Sequence, residues 1–370
     1  MMHNGPVTEV SRPMQIFIRA DSSYQMGTGH VMRCLTLAGE LRQRGAEVTF
    51  ICRDLPGNLA GYIRSKGYAV ELLPQPNDPS YAAFWLQTDW RTDALETVQR
   101  LTLASPAPAD CLIVDHYGID RRWEQALSRH VHRLAVIDDL ADRPHECSLL
   151  LDANASGARD RYQGLVPDSC VKLTGTGYTI LRPEFRSAKQ RLAERDGRVG
   201  RVLVFFGGTD PTGETLRALQ ALQNPAFAHL HLDVVLGGMN GRKEAIATRC
   251  SAMPNAEYHC QIDYIAELMR KADLSIGAGG STTWERCYLG LPSLTIVTAD
   301  NQREITALVH EQGAAYSLGE TSDVTVQAIE QGLHFMLAHP AKVKEMSGKA
   351  LQLMGEDRWD EVITRIIGGN

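Results

Sequence analysis

Apolar strands alternating with amphipathic helices, first from Gln15 and again from Val202, constrain this chain more than any other feature. Strand, helix, strand in succession joins parallel neighbours, because parallel strands need a crossover long enough to hold a helix. Gln15 to Ala20 reads as a buried strand, and the helix after it carries Val31, Cys34, Leu35, Ala38 and Leu41 on one face. Ala46 to Cys52, a helix near Asn58 to Lys66 and Tyr68 to Leu73 complete β-α-β-α-β. The same grammar restarts with strands at Val202 to Phe206, Leu232 to Leu236, Ala272 to Ile276 and Leu291 to Val297, and helices at Gly213 to Leu222 and Ile262 to Lys271. With 370 residues the chain exceeds what one ordinary core serves. The expected fold class is α/β, two Rossmann-like β/α/β domains facing a cleft. Domains are expected at 14–190 and 201–355, with a helix in 356–370 packing back on the first. Gln190 to Arg201, dense in Lys, Arg, Glu, Asp and Gly, is the expected linker.

In open parallel sheets, ligands bind in the crevice beyond the carboxyl ends of the strands. The first strand delivers Asp21-Ser-Ser-Tyr-Gln-Met-Gly27-Thr28-Gly29-His30 to that edge. Gly27 and Gly29 permit a tight reversal and close approach of a ligand. His30 opens the helix, and an imidazole titrating near 6.5 suits a base working near neutrality. A ring that merely bonds a nearby carbonyl satisfies the same spacing. In the second half, Gly277-Ala-Gly279-Gly280-Ser281-Thr282-Thr283-Trp-Glu285 joins a strand to a helix whose free amides and dipole suit a diphosphate. Glu285, one turn in, reaches toward ribose hydroxyls. A plain loop with an N-cap is the alternative, since the string is neither a Walker loop nor GxGxxG. Asn301 and Gln302 follow a buried strand to the same crevice, and the Gly207 to Pro211 turn has amides able to approach phosphate or the partner domain.

Asp115, His116 and Tyr117 end another strand, and Asp138 and Asp139 a third; both sets read as loop support. Adjacent residues on an extended strand end point opposite ways, so Asp138 and Asp139 should not share a proton or cation. The proline-rich loop Pro74 to Pro79 leads toward Phe84, Trp85 and Trp90 and is expected to overhang the crevice.

A net charge of −6 provides no basic field for nucleic acid or an anionic membrane. Met1 to Pro13 is polar, unlike a secretory signal, and no apolar run nears the roughly 20 residues of a membrane span, so a cytoplasmic location is expected. Eight cysteines without a CxxC pair are expected to be reduced and buried. His130 with His132, and His229 with His231, lack a third ligand at metal spacing. No metal, cofactor or obligatory protein partner is expected.

Several segments, in order, resemble one family: Arg19-Ala-Asp21-Ser-Ser, Gly27-Thr-Gly-His30, Val31-Met-Arg33-Cys34, Asp138-Asp-Leu-Ala-Asp-Arg143, Leu181-Arg-Pro-Glu-Phe185, Phe206-Gly-Gly-Thr-Asp210 and Gly277 to Gly290. The family is the UDP-2,4-diacetamido-2,4,6-trideoxy-β-L-altropyranose hydrolases of pseudaminic acid biosynthesis, and the two-domain layout looks like the B-type glycosyltransferase (GT-B) architecture. The resemblance covers roughly residues 15 to 320. It implies a UDP-sugar substrate, release of UDP by water attack at C1, and His30 as the base. By the same resemblance Asp21, Gly27, Thr28, Gly29 and Arg33 contact substrate from the first domain. Gly279, Gly280, Ser281, Thr282, Glu285, Asn301 and Gln302 contact it from the second. Ala153 departs from the family's glutamine, and Met1 to Pro13 is unmatched. No carboxylate adjoins His30 in sequence, so a single displacement with inversion is expected. The rival readings are a transferase of the same fold, which needs an acceptor, a 2-epimerase, which needs more carboxylates, and a non-catalytic sugar-nucleotide sensor.

Overall fold

Backbone ladders join every strand to its neighbours in parallel, producing one sheet of seven strands and one of six. The computed structural model describes residues 12–81, 85–105, 107–154 and 160–368; most of the polar N-terminal extension, and Phe84 of the expected overhang, lie outside them. The first half runs β1 (Gln15–Ala20), α1 (Gly29–Gln43), β2 (Glu47–Arg53), α2 (Ala60–Ser65), β3 (Ala69–Leu73), α3 (Trp90–Ala104), β4 (Cys111–Asp115), α4 (Arg121–Leu127), β5 (Leu134–Ile137), β6 (Leu149–Asp152) and β7 (Val171–Thr174). The second runs α5 (Pro183–Gln190), β8 (Arg201–Phe205), α6 (Glu214–Leu222), β9 (His231–Leu236), α7 (Lys243–Ser251), β10 (Ala256–Cys260), α8 (Ile265–Lys271), β11 (Leu274–Ala278), α9 (Thr282–Tyr288), β12 (Ser293–Val297), α10 (Arg303–Glu311) and β13 (Tyr316–Glu320). Three helices follow: α11 (Val326–Ala338), α12 (Pro340–Met354) and α13 (Trp359–Ile367).

The strand orders, β3-β2-β1-β4-β5-β6-β7 and β10-β9-β8-β11-β12-β13, each reverse direction once. The reversals fall between β1 and β4 and between β8 and β11, and at such a switch point the outgoing loops diverge and leave a crevice. The loops after β1, β4, β8 and β11 therefore frame the site.

Alternation along β1 explains the layering. Ile16, Ile18 and Ala20 join one core with α1, while Phe17 joins the opposite core with Trp123 of α4. Central strands covered on both faces read as near-continuous apolar runs. The edge strands β7, β10 and β13 carry half-exposed or polar side chains and lack that signal, which is why the sequence reading passed over them.

Two placements differ from expectation. Leu181, Phe185 and Ala188 pack with Leu203, Val235 and Ile265, so α5 already lies on the second sheet and the chain crosses before the charged stretch rather than along it. That stretch is anchored: Arg195 donates to the carbonyls of Met269, Ala272 and Leu289. Strand β11 also runs two residues beyond its expected end, through Gly277 and Ala278. At the far end, Trp359, Val362, Ile363 and Ile366 of α13 are buried in the core of the first sheet. The eight cysteines are free, all buried except half-buried Cys260. Among the described residues no helix is long and apolar enough to cross a membrane.

Candidate active site

The loop after β1 stands on a buried charge lattice. Asp21 Oδ1 accepts from Arg19 Nη1 at 2.5 Å and from the Arg53 amide at 2.7 Å, and His116 Nε2 lies 3.2 Å from Oδ2. Arg19 and Arg53 both donate to Asp93, which also receives the Trp123 indole N–H at 2.9 Å. Burial alone would raise the Asp21 carboxyl, but Arg19 and His116 hold it well below the usual range. At 1% exposure, with Oδ1 bonded to Arg19 and Arg53 and Oδ2 turned to His116, Asp21 does not line the cleft. Its expected substrate contact is thus replaced by a bracing role under the loop. Gly27, at φ +76°, makes the reversal that an L side chain would strain. Beyond it, Thr28 and Gly29 face the other domain: a Cβ on Gly208 would lie 2.8 Å from Thr28 Oγ1, and one on Gly29 would lie 3.9 Å from Ser281 Oγ.

His30 is 9% exposed, with its ring edge-on to Tyr117 at 4.5 Å, and Tyr117 stands edge-on to Trp85 at 5.1 Å. Among the described residues its side chain makes no hydrogen bond, so the carbonyl-tethered alternative is not realised. Burial lowers its pKa, and the nearby Asp115 carboxylate offsets part of that shift. The sequence expectation of no carboxylate beside His30 needs correction in space, because the first turns of α1 reach Asp115 and Asp139 at the carboxyl ends of β4 and β5. Asp115 is fully buried and gripped by Arg33 through Nε and Nη2, both at 2.6 Å, while Arg33 Nη1 reaches Asp139 at 2.9 Å. Arg33 lines the cleft but spends its donors on these two carboxylates, one guanidinium against two negative charges. Asp138 turns the other way, to Arg143 at 2.9 Å and the Tyr162 hydroxyl at 3.0 Å, so the two aspartates serve separate loops.

Across the crevice stands the loop after β11. Helix α9 has only seven residues and Ser281 makes no side-chain cap, so the helix dipole that the sequence suggested is short and weak. Gly279 is required by packing, not ligand access: a Cβ there would lie 1.9 Å from Thr306 Oγ1 of α10, and the residue does not line the cleft. Gly280, Ser281, Thr282 and Glu285 do line it. Glu285 Oε1 accepts from Arg182 at 3.1 and 3.2 Å, whereas Oε2 is buried without a hydrogen-bond partner among the described residues. Asn301 Nδ2 donates to the Tyr117 hydroxyl at 3.2 Å, bridging the domains, and Gln302 Oε1 accepts from the Thr298 amide at 3.0 Å. Arg161 and Glu304 form a second bridge at 2.9 Å.

Between these loops lies a cavity of about 620 Å³, within the range of small-molecule sites. It brings His30, Arg33 and Thr28 together with Ser281, Glu285, Asn301 and Gln302, and adds Trp85, Tyr117 and Arg182. All three had a sequence signal: Trp85 in the loop expected to overhang the crevice, Tyr117 at a strand's carboxyl end, and Arg182 in Leu-Arg-Pro-Glu-Phe. The histidine pairs behave differently from expectation: His231 lies within 4.8 Å of Asp233 and Glu257, donors supplied by the same strand and its neighbour. Arg201, however, already occupies both Asp233 oxygens at 2.6 and 2.7 Å.

Residues 202–361 match the model of the glycosyltransferase family 28 C-terminal domain. Over 302 residues, 81% of this chain and 97% of the relative, the chain is 25% identical to the UDP-2,4-diacetamido-2,4,6-trideoxy-beta-L-altropyranose hydrolase of Campylobacter jejuni. Among solved structures, MurG of Acinetobacter baumannii superposes with a TM-score of 0.63 at 16% identity, covering 96% of this chain and 99% of that one. LpCGTa in complex with UDP superposes with a TM-score of 0.63 at 14% identity, with the same coverage. The fold is the GT-B architecture, two Rossmann-like domains facing a cleft, and the resemblance to the hydrolase extends along most of the chain.

Proposed function

We propose that this chain is a cytoplasmic hydrolase that releases UDP from UDP-2,4-diacetamido-2,4,6-trideoxy-β-L-altropyranose, with water attacking C1 and the configuration inverting, in pseudaminic acid biosynthesis. The observation that carries this reading is the position of His30, buried and without a hydrogen bond among the described residues, in the first turn of α1 facing the cleft opposite the Gly280 to Thr282 segment of the second domain. UDP lies along the second domain, with its ribose hydroxyls on the free Oε2 of Glu285 and its diphosphate against the backbone of Gly280, Ser281 and Thr282. The sugar then extends toward His30, between Tyr117, Asn301 and Gln302. Burial keeps the imidazole neutral at neutral pH, so it accepts a proton from water as the C1–O bond breaks. Tyr117 edge-on to the ring holds it in place, and Arg33 offsets part of the pull of Asp115 and Asp139 toward imidazolium, leaving burial as the largest influence.

The match of the second domain to a glycosyltransferase family favours one other reading, a transferase that delivers the sugar to an acceptor. Incubation with the UDP-sugar and no acceptor distinguishes them: stoichiometric UDP and free sugar support hydrolysis, and UDP release only on addition of an acceptor supports transfer.

A further inference from the structure

Among the described residues, three arginines are fully buried, and two of them are paired: Arg19 with Asp21 and Asp93, Arg53 with Asp93 and Glu96. The third, Arg286, is 1% exposed and makes no ion pair. Its Nη2 donates to the Ala278 carbonyl at 2.8 Å and the Thr283 hydroxyl at 3.0 Å, and its Nη1 to the Thr282 hydroxyl at 3.4 Å. Its Nε has no partner among the described residues. Every group it touches is neutral. The nearest carboxylate in sequence, Glu285, is turned toward Arg182.

An unpaired buried guanidinium is costly, and proteins keep one only where something compensates the charge. Burial lowers the Arg286 pKa only to about 10, so the group is still cationic at neutral pH. The chain also makes room for it: a Cβ on Gly277 would lie 2.9 Å from Nη1. The positive charge therefore sits directly behind Ala278 and Thr282, whose other sides line the cleft.

We infer that Arg286 is the electrostatic anchor of an anionic nucleoside diphosphate, acting through the loop instead of by contact. This rests on the reading of the cleft as a UDP site. The anion supplies the missing counter-charge, and the low dielectric between them leaves the attraction little screened. Charge accumulating on the departing diphosphate strengthens it further. The fork also holds Ala278 and Thr283 in place, making Arg286 a positioning residue for the loop.

Calorimetric titration of wild type, Arg286→Met and Arg286→Lys with UDP and with uridine tests the inference. Arg286→Met should lose at least tenfold in UDP affinity, 1.4 kcal/mol, with uridine affinity changed less than threefold. Arg286→Lys should stay within threefold of the wild-type ratio of the two. A folded Arg286→Met protein with an unchanged ratio overturns the inference. So does a wild-type protein that binds UDP but whose melting temperature inorganic pyrophosphate leaves unmoved, a result that needs no variant to fold. Wild type with no affinity for UDP would instead overturn the reading of the cleft.

Discussion

At the scale of single residues, environment separates roles that residue type alone leaves mixed. His30→Ala should reduce turnover by about 10²- to 10⁴-fold, the loss of a general base, while UDP still binds; steady-state kinetics beside UDP titration checks both halves. Because burial depresses its pKa, His30 stays neutral down to acidic pH, so kcat/KM should be level across neutrality and fall only below the ordinary imidazole value of about 6.5. The sign carries over to stability. A depressed folded-state pKa contributes stability present above the unfolded value and lost as pH falls through the folded one. An acid limb rising above pH 7 in the rate profile would contradict this. Glu285→Ala should raise the UDP dissociation constant more than it lowers kcat, since a ribose contact is equally present in ground and transition states. Equal UDP affinity in mutant and wild type would remove Glu285 from the ribose.

At the scale of elements, the second-domain loop is shaped by its neighbours as much as by its ligand. Gly279→Ala should destabilise the protein by about 1–3 kcal/mol through overpacking against Thr306. Adding Thr306→Ala should recover much of it, because the two sites share one contact. Chemical denaturation of the single and double mutants provides the comparison, and additive losses would show that the clash is not the cause. The central strands and α1 were readable from their apolar patterns. Of the edge strands, β3 was readable through Val70, Leu72 and Leu73, while β7, β10 and β13 were not, because an edge strand half open to solvent has no need of a continuous apolar run.

For the whole molecule, two features join the domains: the cleft contacts and α13. Removing 356–370 would strip Trp359, Val362, Ile363 and Ile366 from the first core. At about 1.5–3 kcal/mol for each buried side chain, the loss rivals the roughly 5–15 kcal/mol of total stability typical of proteins. The truncated chain should therefore be recovered unfolded or aggregated; a cooperative melt near the wild-type temperature would refute the packing argument. The layout also sets stereochemistry. In the proposed arrangement, with the base on one domain and the diphosphate on the other, water should approach C1 opposite the leaving group in one displacement. NMR of fresh product in ¹⁸O-water should find the label on the sugar and the anomeric configuration inverted; label in UDP, or retention, would exclude that path.

The amino-acid sequence by itself determined the β/α alternation, the two domains and the loops that reach the crevice, because hydrophobic period and glycine placement are local properties. It put Ser281 on such a loop, and His30 and Glu285 in the first turns of the helices that follow, for the same reason. Only tertiary structure decided what each side chain faces. It buried Asp21 beneath its loop, drew Asp115 and Asp139 onto Arg33, set Gly279 against Thr306, and left Arg286 without a carboxylate. These are pairings between residues remote in sequence, settled by which strands lie side by side and by the cost of burying charge without a partner, and neither is written in local spacing.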